Sequence, residues 1–329
     1  MSNYFDAPTR KRFREALLRW YDLHKRDLPW RTNQDPYRVW VSEIMLQQTR
    51  VAVVIAYYER FIERFPDVRA LARAREASVL AAWSGLGYYR RARAMHEAAK
   101  ILVKRHDGRF PETAKTLEKL PGVGRYTAAA VASIAFGEPV AVVDGNVERV
   151  LDRIRGTQAS IERQATKASH WDAAQDLLSQ QRPGDFNQAM MEFGATVCSP
   201  ANPLCGECPV IVLCKTKGAI KTTLRGLRKK KESAYAIWTE RPKVYLVQRA
   251  RDSSLMPGMW ELPALDEKVD HVHLFTLRHS ITDSDYSVSV AKQRAKRKQN
   301  GRWFPYESVS QLPLTGVTRK ILAKLKIIE

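Results

Sequence analysis

Between Arg10 and Leu23 the apolar residues Phe13, Leu17, Trp20 and Tyr21 recur at spacings of three and four, which puts them on one face of an amphipathic helix. The same period runs through residues 42–65 and, in shorter segments, through residues 76–83 and 91–105. Pro111-Glu112-Thr113 opens a helix expected to reach Leu120, since proline is tolerated where no backbone donor is required. Pro121-Gly122-Val123-Gly124 then breaks the pattern, and residues 125–136 resume it with small side chains at Ala128, Ala129, Ala130 and Ala132. Further helices are predicted over residues 146–154, 161–180 and 185–195.

From about Glu232 the period changes. Residues 233–239, 243–249, 273–277 and 286–290 are short β-rich runs parted by turn residues, and residues 318–326 read as a closing helix. The expected layout is an all-helical unit over residues 1–217, a basic linker over 218–231 and a small mixed α/β domain over 232–329. The linker carries much of the run from Lys217 to Lys231, which contains seven Lys or Arg. Such a run suits a crossing over a phosphate-lined surface or a solubilising connector.

Composition narrows the partner. The 329 residues suffice for about two domains, and 44% hydrophobic residues support ordinary cores. No stretch approaches the ~18 uninterrupted apolar residues of a membrane span. The first residues show no basic region followed by an apolar run, so a cytoplasmic protein is expected, nucleoid-associated if bacterial. Lys and Arg number 55 against 35 Asp and Glu, a formal charge of +20, and that excess favours a polyanion such as nucleic acid. No helix shows a dimerising heptad, so a monomer is expected.

The cysteines are concentrated. Cys198, Cys205, Cys208 and Cys214 follow the spacing Cys-x6-Cys-x2-Cys-x5-Cys, and the chain has no others. A disulfide framework would normally serve a short secreted chain. Four thiolates can instead surround one metal centre, as structural zinc or a [4Fe–4S] cube.

Three further positions carry candidate chemistry. Gly122 and Gly124, two glycines within three residues between helical patterns, permit positive backbone dihedrals and close approach of another backbone, and the following helix start offers free amides to a phosphate. Asp144 precedes Gly145, Asn146 and a helical pattern; it reads as an N-cap or as a carboxylate beside a developing cation. Glu43 sits in Trp40-Val41-Ser42-Glu43-Ile44-Met45-Leu46-Gln47-Gln48-Thr49, an acid in an apolar helix start. It reads as a helix-dipole residue, or as a general acid whose pKa burial raises.

Residues 120–126, followed by Val143-Asp144-Gly145-Asn146-Val147, resemble the helix-hairpin-helix glycosylase superfamily, and with residues 40–49 and the cysteine spacing they are similar to its MutY family of adenine DNA glycosylases. The resemblance implies an all-α helix-hairpin-helix glycosylase unit with an iron–sulfur loop, plus a small α/β Nudix-like C-terminal domain. The hairpin would fall at about residues 112–136 and a [4Fe–4S] cluster on Cys198, Cys205, Cys208 and Cys214 in the loop 198–214. It implies hydrolysis of the N-glycosidic bond of adenine mispaired with 8-oxoguanine or guanine in double-stranded DNA.

By the same resemblance, Glu43 protonates the base and Asp144, with Asn146 beside it, stabilises the sugar cation. Bifunctional relatives carry a lysine where this chain has Tyr126, and tyrosine cannot form an imine, so a monofunctional enzyme is implied. Gln47, Gln48 and Thr49 would enter the opened base stack, Tyr88 of Gly85-Leu86-Gly87-Tyr88-Tyr89 would wedge beside the opposite base, and Leu86 of the same turn would contact the DNA. Trp30-Arg31 would edge the pocket.

Leu246-Val247-Gln248-Arg249 and residues 258–263 resemble the opening of the Nudix-like domain, but the glutamate cluster of a nucleotide hydrolase is missing after Ala264. Where the family reads 8-oxoguanine with Phe-Ser-His, this chain has Leu277-Arg278-His279, which makes Arg278 and His279 the candidate readers. The competing readings are a mismatch glycosylase for another base, such as thymine, and a DNA-binding scaffold without chemistry.

Overall fold

A computed structural model of the chain describes residues 4–157, 163–217, 228–281, 284–293 and 301–328. The chain divides into two compact units, Met1–Arg69 with Glu97–Leu224, and Ala70–His96 with Arg225–Glu329. Among the described residues no helix is long and apolar enough to cross a membrane.

Helix α1 (Ala7–His24) starts where the Asp6 carboxylate accepts from Thr9 N at 2.7 Å, and it buries the expected stripe Phe13, Leu17, Trp20 and Tyr21. The pattern over residues 42–65 proves to be two helices, α2 (Pro36–Leu46) and α3 (Val51–Arg64). Between them Gln48 takes a left-handed backbone with φ +56°, which an uninterrupted helix does not permit. Helices α4 (Val68–Arg73), α5 (Glu76–Trp83) and α6 (Arg90–His106) follow. The hairpin is built from a short α7 (Ala114–Leu117) and from α8 (Arg125–Phe136), rather than from a first helix reaching Leu120. Then come α9 (Gly145–Arg155), α10 (Arg163–Leu177) and α11 (Pro183–Thr196).

The core of the first unit gathers Phe13, Leu17, Val147, Leu151, Phe186 and Phe193. The alanines of α8 bring helices close: a Cβ at Gly184 of α11 would lie 2.6 Å from Ser133 O. An all-α helix-hairpin-helix framework is therefore present.

In the second unit, β1 (Lys229–Ile237), β2 (Thr239–Glu240), β3 (Lys243–Gln248), β4 (Trp260–Glu261), β5 (His271–Ile281), β6 (Ser284–Gln293) and β7 (Gly301–Pro305) make two sheets. One has the order β1-β6-β5, with β1 parallel to β6; in the other, β3 pairs antiparallel with β2, β4 and β7. Helices α12 (Tyr306–Val309) and α13 (Gly316–Lys324) complete it, and Ile321 and Leu322 of α13 pack with Val244, Leu246, Val288 and Val290. The strands overrun their expected bounds; Lys229–Lys231, expected in the linker, open β1. The rest of the linker, residues 218–227, and the basic residues 294–300 lie outside the described residues.

Candidate active site

A cavity of about 610 Å³ opens in the first unit. Its wall takes Trp30 and Arg31 from the 3-10 turn Pro29–Arg31, Glu43 from α2, Gln47–Thr49 from the following turn, Gly124 and Tyr126 from the start of α8, Asp144–Asn146 from the start of α9, and Met191 and Glu192 from α11. That volume lies within the range of small-molecule sites and admits a purine.

Glu43 is buried on the third turn of α2, and its Oε2 accepts the Tyr126 hydroxyl at 2.7 Å. Burial raises its pKa from 4.5 to about 7; the Tyr126 hydrogen bond opposes the rise, the Asp144 charge adds to it and Arg31 opposes it. Burial, then the neighbouring Glu43, drives the Tyr126 phenol well above its ordinary value, so it remains a donor. The same hydroxyl lies 3.2 Å from Met191 Sδ.

Asp144 is the N-cap of α9. Its Oδ1 accepts Asn146 N at 2.9 Å and Val147 N at 2.8 Å, and its Oδ2 accepts Asn146 Nδ2 at 2.8 Å, the acceptor-only pattern of a carboxylate at a helix N-terminus. The cap reading of Asp144 is thus met, and the same carboxylate borders the cavity. Asn146 Oδ1 in turn accepts Arg149 Nη2 at 2.9 Å, and Arg149 also donates to Gly194 O at 2.7 Å and Cys198 O at 2.9 Å. Gly194 leaves no space beside Asn146: a Cβ there would lie 2.7 Å from Asn146 Cβ.

The backbone leading to Asp144 is in neither helix nor strand, and side chains hold it. Gln175 accepts Ala141 N at 2.9 Å and donates to Pro139 O, while the buried Asn187 accepts Val142 N at 3.0 Å and donates to Val140 O and Ser133 Oγ.

Arg31 reaches the cavity as expected, and its partners Glu192, Arg26 and Gln188 are site residues the sequence reading missed. Glu192 is buried and binds Arg26 Nη2 at 2.9 Å and Arg31 Nη2 at 3.0 Å; Arg31 Nε donates to Gln188 Oε1 at 3.1 Å. Burial works against ionisation of Glu192, but the hydrogen bond from Arg26 and the charge of Arg31 hold its pKa below the ordinary value. The available signal was an acid within the apolar run Met190-Met191-Glu192-Phe193.

Gln47 is half-buried and donates from Nε2 to Thr127 Oγ1 at 3.1 Å, Gln48 is exposed and Thr49 half-buried. Gly122 adopts φ +73°, and Gly124 is the exposed N-cap of α8, with open space where a Cβ would stand and no side-chain cap. The second unit carries the other expected nucleic-acid contacts. Tyr88 is 43% exposed with φ +48°, whereas Leu86 is buried. Arg91 packs against both Trp83 and Tyr88, and burial lowers its pKa to about 10. Arg278 is exposed on β5; His279 is half-buried, and burial, followed by Lys320, lowers its pKa.

The cysteines correct an expectation. All four border one small pocket, about 20 Å³, together with Arg153. Among the described residues, however, no three His, Cys, Asp or Glu side chains are grouped so as to hold a metal ion. The expected [4Fe–4S] cluster on Cys198, Cys205, Cys208 and Cys214, and with it the iron–sulfur loop of the expected fold class, is overturned. The sulfurs are engaged in other ways: Cys198 Sγ accepts Arg153 Nη1 at 3.3 Å and the Cys214 thiol donates to Arg153 O at 3.4 Å. Burial pushes the Cys208 thiol up to about 11.

The profile of the HhH-GPD superfamily of base excision DNA repair proteins matches residues 41–175, a span that includes Glu43, the glycine turn, Tyr126 and Asp144. The chain belongs to that superfamily. Within it, the chain is similar to the MutY-type adenine DNA glycosylases. It is 54% identical over 212 residues to the adenine DNA glycosylase of Rattus norvegicus, covering 62% of this chain and 41% of that one. It is 29% identical over 343 residues to that of Buchnera aphidicola subsp. Schizaphis graminum, covering 95% and 99%. The chain spans 38% to 49% of the length of its rodent, human, plant and fission-yeast relatives. The solved structure of a thermostable thymine-DNA glycosylase superposes with a TM-score of 0.59 at 31% identity, covering 65% of this chain and 98% of that one.

Proposed function

We propose that the chain is a monofunctional DNA glycosylase that releases adenine mispaired with 8-oxoguanine or guanine, acting as a monomer on double-stranded DNA. The observation that carries this reading is the pairing, in one cavity, of a buried Glu43 whose pKa rises to about 7 with an acceptor-only Asp144 at a helix N-terminus. Adenine leaves as a neutral base only when N7 is protonated, and a neutral buried carboxyl supplies that proton. Departure of the base gives the sugar oxocarbenium character, which Asp144 stabilises and water then quenches. Tyr126 holds the protonating carboxyl and offers no amine, so the strand stays intact. Tyr88, Gln47, Gln48 and Thr49 fill the opened stack, the glycine turn at Gly122–Gly124 takes backbone phosphates, and Arg278 and His279 read the base opposite adenine.

Single-turnover assays on duplexes with one adenine opposite 8-oxoguanine or guanine test the reading. The expected product is an intact strand with an abasic site, cleaved only by alkali or heat, and no borohydride-trapped complex. Absence of adenine release overturns the reading. The likeness to a thymine-DNA glycosylase structure favours a second one, thymine release from a T:G mismatch, and the same assay with that duplex decides between them.

A further inference from the structure

Within the second unit, the turn that bears Tyr88 and the strand that bears Arg278 both hang on the start of α13. Leu314 O accepts two hydroxyls, Tyr89 Oη at 2.8 Å and Ser84 Oγ at 3.0 Å, which fills both lone pairs of one carbonyl. Tyr89 Oη accepts Gly85 N at 3.3 Å, and Ser84 Oγ accepts Arg319 Nε at 3.0 Å, so both ends of the turn belong to one hydrogen-bonded chain. Ser84, Tyr89 and Leu314 are buried. On the other side of the same segment, Lys320 Nζ donates to Arg278 O at 2.7 Å, and Gly316 packs against His279, whose Cε1 would lie 3.6 Å from a Cβ there.

The segment itself is fixed. Thr315 N donates to Trp260 O at 2.9 Å, Trp260 N donates to Pro313 O at 2.8 Å, and Leu262 N donates to Thr318 Oγ1 at 3.1 Å. The turn is the opposite case. Gly85, Gly87 and Tyr88 all have positive φ, and for tyrosine that conformation is strained and persists only where the surroundings impose it.

We infer that residues 314–320 pin Tyr88 in register with Arg278 and His279, and that Arg319, through Ser84, is a positioning residue for recognition of the base opposite adenine. This rests on the proposed reading of Tyr88, Arg278 and His279 as contacts to that base. A wedge and a reader must meet the same nucleotide, and a shared rigid anchor sets their spacing before DNA arrives, so binding does not have to order the turn. Glu43 and Asp144 belong to the first unit, and base release itself does not depend on Arg319.

The test uses the full chain as wild type, Arg319→Ala, Arg319→Lys, Tyr88→Ala and the Tyr88→Ala/Arg319→Ala pair. In the free protein, Arg319→Ala is expected to speed amide exchange at residues 85–89, with Arg319→Lys restoring part of the protection. On duplexes with a non-cleavable adenine analogue opposite 8-oxoguanine or guanine, Arg319→Ala is expected to lose about tenfold in preference for 8-oxoguanine, the scale of one charge-assisted hydrogen bond. The saturating single-turnover rate should stay within about twofold, and in the Tyr88→Ala background the Arg319 substitution should cost nothing further. Unchanged exchange at residues 85–89, or a preference loss of equal size in the Tyr88→Ala background, overturns the pin. A Tyr88→Ala chain that binds and discriminates like wild type overturns the reading of the turn, and the recognition role of Arg319 with it.

Discussion

The Tyr126 hydroxyl donates to Glu43 Oε2 at 2.7 Å across the floor of the cavity, so a residue of the hairpin's second helix sets the protonation of an acid on α2. This hydrogen bond holds the Glu43 pKa below where burial alone would carry it. Replacing Tyr126 with Phe removes that restraint and the Glu43 pKa rises further. The alkaline limb of the single-turnover pH–rate profile is expected to move to higher pH, and the maximum rate to fall because the carboxyl loses its orienting donor. An unshifted limb would show that Glu43 does not govern it.

In wild type the sign follows directly. A general acid with a pKa of about 7 is protonated below that pH, so the rate should fall as pH rises through about 7. Folding responds to the same group. Its folded pKa lies above the unfolded value near 4.5, so its contribution to stability is full below the unfolded pKa and is lost as pH rises through about 7. The difference amounts to about 3 kcal/mol on the alkaline side. Glu43→Gln should abolish base release, leave duplex binding largely intact, and be more stable than wild type at about pH 8 but not at about pH 4. Denaturant titrations at the two pH values check this; an equal difference at both would assign Glu43 an ordinary carboxylate pKa.

Gly194→Ala should slow base release without removing any group that contacts DNA. The new Cβ would stand 2.7 Å from Asn146 Cβ and 3.0 Å from Asn146 O, and displacing Asn146 disturbs two of the three hydrogen bonds on Asp144. Overpacking of this kind costs about 1–3 kcal/mol. Gly206→Ala is the control, because nothing lies within 4 Å of a Cβ there. Thermal melts and single-turnover rates of both variants are the measurement, and equal behaviour would remove Gly194 from the support of Asp144.

In the proposed reading, Arg278 brings a fixed positive charge to the position where the Phe-Ser-His turn of the resembling family presents a small hydroxyl. Its guanidinium can pair with O6 and N7 of guanine, but N7 of 8-oxoguanine carries a hydrogen and no longer accepts. Discrimination between the two opposite bases is therefore expected to be weaker than in a Phe-Ser-His enzyme. Arg278→Ala should alter the affinity ratio for the two duplexes at matched salt while the saturating rate of adenine release is unchanged. A uniform loss for both duplexes, with a salt slope smaller by about one, would assign Arg278 to a phosphate instead.

The α1 stripe, the glycine turn and the two cavity carboxylates were legible because each depends on local spacing or a short motif. The break at Gln47–Thr49 was not, since apolar residues keep a helical period on both sides of it and the departure from helical dihedrals is confined to a few residues. Glu192 and Arg26 were missed because they meet across 166 positions, and no local pattern announces such a pair. The glycines flanking Leu86 did not show which side chain of that turn is exposed; Leu86 is buried and Tyr88 is not. The cysteine spacing suggested one metal centre, and it could not show that Arg153 lies among the four side chains and takes up two of the sulfurs.

In the segment from Pro139 to Val142, the amides of Ala141 and Val142 and the carbonyls of Pro139 and Val140 are bound by the side chains of Gln175 and Asn187. Amide deuterium uptake would ordinarily be fast in a stretch that is neither helix nor strand. Here the amides of Ala141 and Val142 open only when α10 and α11 release their side chains, so their protection reads out the anchoring of the Asp144 approach. A solvent-exchange map would therefore show a slow island inside a loop, and its loss would reveal a loosened approach to Asp144 before any helix had melted.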